Sequence, residues 1–233
     1  MTSSPDVPLG RGDNAPEFTL PAVNRDGVVG LEDYRGRCPV LIGLFRGLHC
    51  PFCRRQIVAL QVTQEKISRE GVEVLAIVNT RLERARSYFQ YRPTRVLLAA
   101  DADRKTHRAF GLPKIEILPD ETSFDDLKWP YTTSRARLAT LRFNPTGELT
   151  EPMNGFHAEE ILNKADGFQH TAIDREMIAA HSPQLPGHFL IDSAGVIRWA
   201  DIHGFEDPNE WATFPRVGDF LSAVKALSPA ELR

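Results

Sequence analysis

The chain has 233 residues, in which 28 Lys and Arg stand against 31 Asp and Glu, and only three residues are cysteines. A net charge of −3 at pH 7 lacks the basic excess typical of proteins that bind nucleic acid or anionic membranes, so neither is expected as a partner. Three cysteines are too few for a secreted disulfide framework, and no secretory signal or membrane-spanning run is visible, so the sequence predicts a cytoplasmic protein.

Strand and helix patterns alternate along the first half of the chain. The Asp26-Gly27 pair predicts a hairpin turn, and Gly71 supplies a helix stop. The predicted strands are 17–20, 28–31, 40–45, 72–78 and 96–100, and the predicted helices are 51–69, 82–91 and 104–110. This alternation is typical of βαβ units, so we expect an α/β fold with a mostly parallel sheet.

The pattern changes between about 113 and 182. About 70 residues are too many for a structureless loop in a compact domain, so we expect an insertion with its own hairpin and helices. Its hairpin is predicted from the alternation at 137–143 and the turn that follows, and its helices near 157–165 and 171–181. An antiparallel edge hairpin (188–191 with 196–202) and a closing helix (211–227) complete the prediction of a single domain, 1–233, with a core of about 14–112 and 183–233.

Two cysteines lie where the third predicted strand gives way to a helix, in the sequence Cys50-Pro51-Phe52-Cys53. Pro51 suits the first helical turn, which places Cys50 at the cap and Cys53 inside that turn. Three residues apart, the sulfurs can close a small disulfide, and the helix N-terminus stabilises a thiolate. Because the apolar stripe of the helix continues from Cys53, we expect Cys53 to be the more buried sulfur and Cys50 the more exposed one.

The residues around this motif leave several roles open. Arg46, His49, Arg54 and Arg55 are cationic candidates; His49 either lowers the pKa of Cys50 or only packs beside it, whereas Arg54 and Arg55 are expected on a solvated helix face. Cys38 is expected to be a passive side chain, with a resolving role as the alternative. No second cysteine pair, histidine ligand spacing or dinucleotide-binding glycine motif accompanies the site, so we expect neither a metal nor a cofactor.

The motif and the surrounding chain resemble known families. FRGLHCPFC at 45–53 looks like the active-site segment of thioredoxin-fold proteins, and the body resembles the peroxiredoxins of the alkyl hydroperoxide reductase / thiol-specific antioxidant group. The segments that carry the second resemblance are APEFTL at 15–20, LLAAD at 97–101, HRAFGL at 107–112, and FLID at 189–192 with GVI at 195–197. The resemblance implies a thioredoxin-like fold, a central mixed sheet flanked by helices, for about 14–112 and 183–227.

The chain departs from the peroxiredoxin pattern Pro-x-x-x-Thr-x-x-Cys. Aligned on Cys53, the threonine position holds Cys50 and the proline position holds Arg46, while Gln56 stands where the family often has Glu or Gln. The arginine that the family carries at a second site, three residues before the position of Phe189, is replaced here by Pro186, which matches the thioredoxin proline instead. That resemblance implies a cis bond before Pro186, packed against the disulfide.

The resemblance therefore implies a thiol oxidoreductase with two alternative chemistries. In a peroxidase, Cys53 attacks the peroxide and Cys50 resolves the sulfenic acid; in a disulfide reductase, Cys50 attacks first and Cys53 resolves. A third alternative is a redox-sensing binding protein. The expected partners are a small peroxide or disulfide substrate and a thiol reductant such as a thioredoxin, glutaredoxin or glutathione system. A homodimer is left open.

Overall fold

The computed structural model describes residues 7–232, and it alternates strands and helices through the first half of the chain. The strands are β1 (Thr19–Pro21), β2 (Val28–Gly30), β3 (Val40–Phe45), β4 (Glu73–Val78), β5 (Leu97–Ala100), β6 (Glu116–Leu118), β7 (Thr132–Ser134), β8 (Gly187–Ile191) and β9 (Ile197–Ile202). The helices are α1 (Pro51–Ile67), α2 (Leu82–Gln90), α3 (Lys105–Ala109), α4 (Arg135–Thr140), α5 (Gly155–Ala165), α6 (Ala172–His181) and α7 (Val217–Lys225).

A mixed sheet of five strands forms the centre of the molecule, in the order β5-β4-β3-β8-β9. β3, β4 and β5 run parallel, as the βαβ pattern predicts, and β8 and β9 form the antiparallel edge hairpin. Val40 of β3 pairs with Glu73 on one side and with Ile191 on the other. The predicted α/β class and the central mixed sheet are confirmed.

Both faces of this sheet are covered by apolar residues, which explains why β3 reads as an unbroken apolar run. Leu41 and Phe45 point into a layer shared with α1 and α7, whereas Ile42 and Leu44 point into a second layer. The second layer is closed by the predicted N-terminal hairpin, in which β1 pairs antiparallel with β2. The sheet therefore gives β3 and the segment that follows it a rigid support.

The junction between β3 and α1 follows the sequence prediction closely. Cys50 is the N-cap of α1, with extended backbone, and Pro51 is its first helical residue. The helix ends through a short 3₁₀ turn at Gly71, whose φ of +80° is the left-handed conformation that glycine adopts without strain. The two cysteines thus lie at the carboxyl end of a central parallel strand, where ligand sites of open α/β sheets form.

Five elements, β6 to α6, lie between α3 and β8, and they correct the predicted internal hairpin. β6 and β7 pair in parallel, and residues 135–140 form α4 rather than a strand. A helix forms there because the Ser134 side chain accepts the backbone N–H of Arg137, and because Leu138 and Leu141, three residues apart, are both buried. Of the expected hairpin, the described part of the chain keeps one antiparallel bridge, Phe143 to Met153. The two predicted helices of this region are confirmed as α5 and α6.

The closing helix starts later than predicted, at Val217 instead of 211. Pro215 disfavours helical backbone at the residue before it, and Asp219 accepts the N–H of Arg216 to form the new helix start. α7 packs against α1. Within residues 7–232, no helix combines the length and apolar character needed to cross a membrane.

Candidate active site

The two cysteines of the motif form a compact, buried pair at the start of α1. The backbone N–H of Cys53 donates to Cys50 Sγ over 3.2 Å, and the N–H of Cys50 donates to the carbonyl of Gly47. All three cysteines of the chain are free thiols. Cys50 and Cys53 are each only 1% exposed, so the expectation that Cys50 is the more exposed sulfur is wrong. Both sulfurs belong to the apolar cluster that also contains Ala158 and Leu162 of α5, a helix in contact with α1.

Arg46 supplies a positive charge beside this pair. Its side chain is buried, and its guanidinium lies 4.8 Å from the centre of the Trp211 ring, within cation–π range. Burial lowers the pKa of Arg46, but the charges of Cys50 and Cys53 outweigh burial and raise it above its usual value. The guanidinium therefore stays charged next to the thiols.

The two thiols bind protons unequally. Burial alone raises the pKa of Cys53, but the hydrogen bond donated by the Cys50 thiol and the charge of Arg46 outweigh burial and lower this pKa to about 7. Burial raises the pKa of Cys50 well above its usual value, and the hydrogen bond to Cys53 adds to that shift. Cys53 is therefore the sulfur that carries negative charge near neutral pH.

His49 does not act as a second cation. Burial, followed by repulsion from Arg46, lowers the pKa of His49 to about 3, so the imidazole is neutral at physiological pH. The ring packs on Gly47, where a Cβ atom would come within 2.6 Å of His49 Nδ1. Of the two roles considered for His49, charge stabilisation of a cysteine is therefore wrong, and packing remains.

A cavity of about 430 Å³ opens beside the cysteine pair. Arg46, His49 and Phe52 form its wall on the motif side, Glu159 belongs to its α5 side, and Trp211 lines it from the segment before α7. The cysteines themselves do not line the cavity, whereas their chain neighbours His49 and Phe52 do. The active-site segment and residues between 113 and 183 therefore line the same cavity.

Glu159 is a site residue that sequence reasoning missed. Burial and repulsion by Cys50 raise the pKa of its carboxyl to about 7, although the charge of Arg46 opposes that shift. More than 100 residues separate it from the motif, and no spacing rule connects the two. The one available signal is weak: Glu159 flanks the buried stripe formed by Ala158 and Leu162 on an amphipathic helix.

Arg54 and Arg55 join α1 to the C-terminal end of α5, so the predicted solvated helix face is wrong. Arg54 is buried and donates to the carbonyl of Leu48 (2.6 Å), to Asn163 Oδ1 (2.8 Å) and to Asp166 Oδ2 (2.5 Å). Arg55 binds both oxygens of Asp166 at 3.0 Å. A buried guanidinium needs such partners, and its two side-chain partners, Asn163 and Asp166, lie more than 100 positions away.

Arg54→Met is expected to lower the free energy of unfolding by about 3 kcal/mol, the lower end of the range for breaking a buried ion pair, because Asp166 retains Arg55. Methionine keeps an apolar stem against the Phe168 ring, on which the guanidinium now stacks at 4.1 Å. Urea unfolding measures the difference. Arg95→Met is the matched control, since the ion pair of Arg95 with Glu65 is exposed and its loss should change little. Equal stability of both variants would contradict the expectation.

Two further predicted site residues, Gln56 and Pro186, form hydrogen bonds with residues other than Cys50 and Cys53. Gln56 is buried and donates to the carbonyl of Pro215. The cis bond expected before Pro186 is wrong: within residues 7–232 the cis X-Pro bonds precede Pro130 and Pro183. Pro186 instead leads directly into β8, and its carbonyl accepts the N–H of His203 across the edge hairpin, which extends the ladder. Pro183 is the proline that lines the cavity.

Comparison with known proteins gives matches in sequence and in structure. The profile of the AhpC/TSA family matches residues 11–151. Peroxiredoxin Bcp of Escherichia coli (strain K12) is 30% identical over 106 residues, which are 45% of this chain and 66% of that protein. The chain thus matches just under two thirds of the length of this relative.

Two crystal structures are similar over most of the chain. Peroxidoxin BcpB from Mycobacterium tuberculosis superimposes with a TM-score of 0.54 at 12% identity, covering 94% of this chain and 99% of that one. The reduced 2-Cys peroxiredoxin of Plasmodium vivax gives a TM-score of 0.54 at 16% identity, covering 94% and 82%. At these identities the likeness establishes the fold, which agrees with the predicted peroxiredoxin-type, thioredoxin-like architecture.

Proposed function

Since the chain belongs to the AhpC/TSA family, we propose that it is a dithiol peroxidase in which Cys53 reduces a peroxide and Cys50 completes the redox pair. One observation carries the proposal. Cys53 and Cys50 are joined by a 3.2 Å hydrogen bond and are buried together with the Arg46 guanidinium, and the Cys50 thiol and the Arg46 charge lower the pKa of Cys53 to about 7. A thiolate is the form of cysteine that attacks a peroxide.

The proposed reaction has two covalent steps. The Cys53 thiolate attacks the nearer peroxide oxygen, the O–O bond breaks, and Cys53 becomes a sulfenic acid as the departing alkoxide or hydroxide takes up a proton. Cys50 then loses its proton and attacks the sulfenic sulfur, so that hydroxide leaves, takes up a proton to become water, and the Cys50–Cys53 disulfide forms. Cys50 occupies the family's threonine position. The hydrogen bond that the Cys50 thiol donates to Cys53 takes the place of a hydrogen bond from the threonine hydroxyl. Arg46 supplies the cation that the family draws from the position of Pro186.

An external thiol must restore the dithiol, because two electrons pass from the cysteines to each peroxide. We propose a thioredoxin, glutaredoxin or glutathione system as that reductant, in a reducing cytoplasmic setting. The single-domain organisation, with the insertion at about 113–182, is part of the same proposal.

A disulfide reductase is the second candidate, and one contact favours it. Cys50 is the N-cap of α1 and its sulfur accepts the backbone N–H of Cys53 over 3.2 Å. This backbone hydrogen bond at the helix N-terminus favours a Cys50 thiolate and opposes the burial that raises the pKa of Cys50. In this alternative Cys50 attacks a substrate disulfide and Cys53 resolves the mixed disulfide.

One equivalent of hydrogen peroxide is expected to convert the reduced protein into a Cys50–Cys53 disulfide and to leave Cys38 as a thiol. Cys38 precedes β3 and Cys50 follows it, and the six residues of β3 span about 20 Å, whereas a disulfide needs Cα atoms within about 7 Å. Peptide mapping of the oxidised protein by mass spectrometry tests this, with Cys38→Ser as the control that should give the same product. Lack of oxidation, or a bridge to Cys38, would count against the proposed peroxidase.

A further inference from the structure

The cavity beside the thiols contains one acidic group. Among residues 7–232, Glu159 is the sole carboxylic side chain in its lining, and it shares the space with the cation Arg46 and the neutral ring of His49. Glu159 interacts electrostatically with Cys50 and with Arg46. Most other lining residues are apolar, among them Phe52, Leu138, Phe143 and Phe156. A carboxyl group in a largely apolar cavity beside reactive thiols is suited to act as a general acid or base.

The position of Glu159 is held by contacts at both ends of α5. The Asn154 side chain accepts the N–H of His157 and caps the helix start, while Asn163 and the adjacent Asp166 bind the buried Arg54. Ala158 and Leu162 face the core, so Glu159 is directed along the flank of the helix toward the cavity. Its neighbour Glu160 is exposed. The helix α5 therefore places one carboxyl in the cavity beside the redox pair and leaves the adjacent one in solvent.

We propose that Glu159 is a catalytic residue of this site, the proton donor to the leaving oxygen and the proton acceptor from Cys50. The inference rests on the proposed function, to which it adds the group that moves the protons. It assigns a catalytic task to the insertion.

With Glu159 as the only added proton carrier, every proton and electron of the peroxidase cycle is accounted for. The cycle starts from the Cys53 thiolate, the Cys50 thiol and protonated Glu159. Cys53 attacks the peroxide, which is reduced, and Glu159 gives its proton to the departing alkoxide or hydroxide. The Glu159 carboxylate then takes the proton of Cys50 and passes it to the hydroxide that leaves the Cys53 sulfenic acid as water. Two external thiols reduce the disulfide, and their two protons restore the Cys50 thiol and the Glu159 acid.

Several titratable or charged groups face Glu159 from the elements around it. They are Arg46, His49 and Cys50 from the motif, Arg54 from α1, Arg135 from α4, and His170 from the loop after α5. His49 is neutral near pH 7. The two groups whose protonation the proposed reaction depends on are Cys53 and Glu159. Cys53 must lose its proton and Glu159 must keep its own, each with a pKa of about 7. The rate of Cys53 oxidation should therefore rise and then fall with pH, with a maximum near neutrality.

Glu159→Gln tests the assignment, with Glu160→Gln as the matched control on the same helix. The second-order rate constant for Cys53 oxidation by hydrogen peroxide is measured by rapid mixing across the pH range. Glu159→Gln is expected to lower the maximal rate about 100-fold and to remove the fall at alkaline pH, because glutamine donates no ionisable proton. Glu160→Gln is expected to keep both the rate and the bell-shaped profile of the wild-type protein.

Glu159→Asp provides a second variant that keeps the acid. It should retain the alkaline fall, shifted along the pH axis, with a rate between those of wild type and Glu159→Gln. An unchanged rate and profile in Glu159→Gln would overturn the role of Glu159 while the peroxidase proposal stands. A wild-type protein that does not react with peroxide at all would instead overturn the proposed function, and the two failures are thereby distinguished.

Discussion

Cys53→Ser is expected to abolish both peroxide reduction and sulfenic acid formation, with a loss of more than about 1000-fold, as for other catalytic nucleophiles. Cys50→Ser is expected to keep the first step and to stop there, accumulating Cys53 sulfenic acid. The asymmetry follows from the proton distribution: the pKa of Cys53 is lowered to about 7, whereas that of Cys50 is raised well above its usual value. Serine at position 50 also still offers a hydroxyl where the peroxiredoxin family has threonine, so a donor to Cys53 remains.

Rapid mixing with hydrogen peroxide in the presence of a sulfenic acid trap measures both steps. Cys38→Ser is the control, because its thiol is at the opposite end of β3 and should not affect either step. The reductase alternative makes the reverse prediction, in which the Cys53→Ser protein traps substrates as mixed disulfides on Cys50. Sulfenic acid on Cys50, or none on either residue, would contradict the assignment of Cys53 as the attacking thiol.

The parts of the molecule that the sequence predicts well are those in which local pattern and burial agree. β3 is apolar throughout because both of its faces are covered, and Cys50 caps α1 because Pro51 can only begin a helix there. The position of the cysteine pair at the strand–helix junction therefore followed from about ten residues. Each of these features depends on neighbours in the chain.

The missed features all depend on contacts between distant segments. Arginine is usually found on the surface, and the burial of Arg54 depends on its hydrogen bonds to the distant residues Asn163 and Asp166. Glu159 enters the site in the same way, on a helix whose approach to α1 no local pattern encodes. The 137–143 segment shows a different limit, because a short apolar alternation fits a strand and a capped helical turn about equally well, and the Ser134 cap decides for the helix.

The proposed reaction needs a cation in place of the arginine that the family carries, and Arg46 is the proposed one because Arg54 is already bound to Asn163 and Asp166. Arg46→Met is expected to lower the rate of Cys53 oxidation at pH 7 about 100-fold, the loss typical of removing one donor that stabilises developing charge. Methionine should preserve the fold, since it keeps apolar contact with Trp211, and Nε and Nη2 of Arg46 have no hydrogen-bond partner among the described residues. Arg135→Met, which removes an exposed arginine at the same cavity, is the matched control and should have little effect.

The pH dependence of Arg46→Met separates two ways in which the guanidinium acts. Its charge lowers the pKa of Cys53, so the variant should hold less thiolate at pH 7, which ultraviolet absorbance of the thiolate measures. If that were its whole contribution, the variant would regain the wild-type rate at about pH 10, where an unassisted thiol is ionised. We expect a deficit to persist there, because Arg46 also stabilises the charge that develops on the leaving oxygen, and Arg46→Lys should recover part of it. Equal rates for Arg46→Met and wild type at neutral pH would exclude Arg46 as the substitute for the family's arginine.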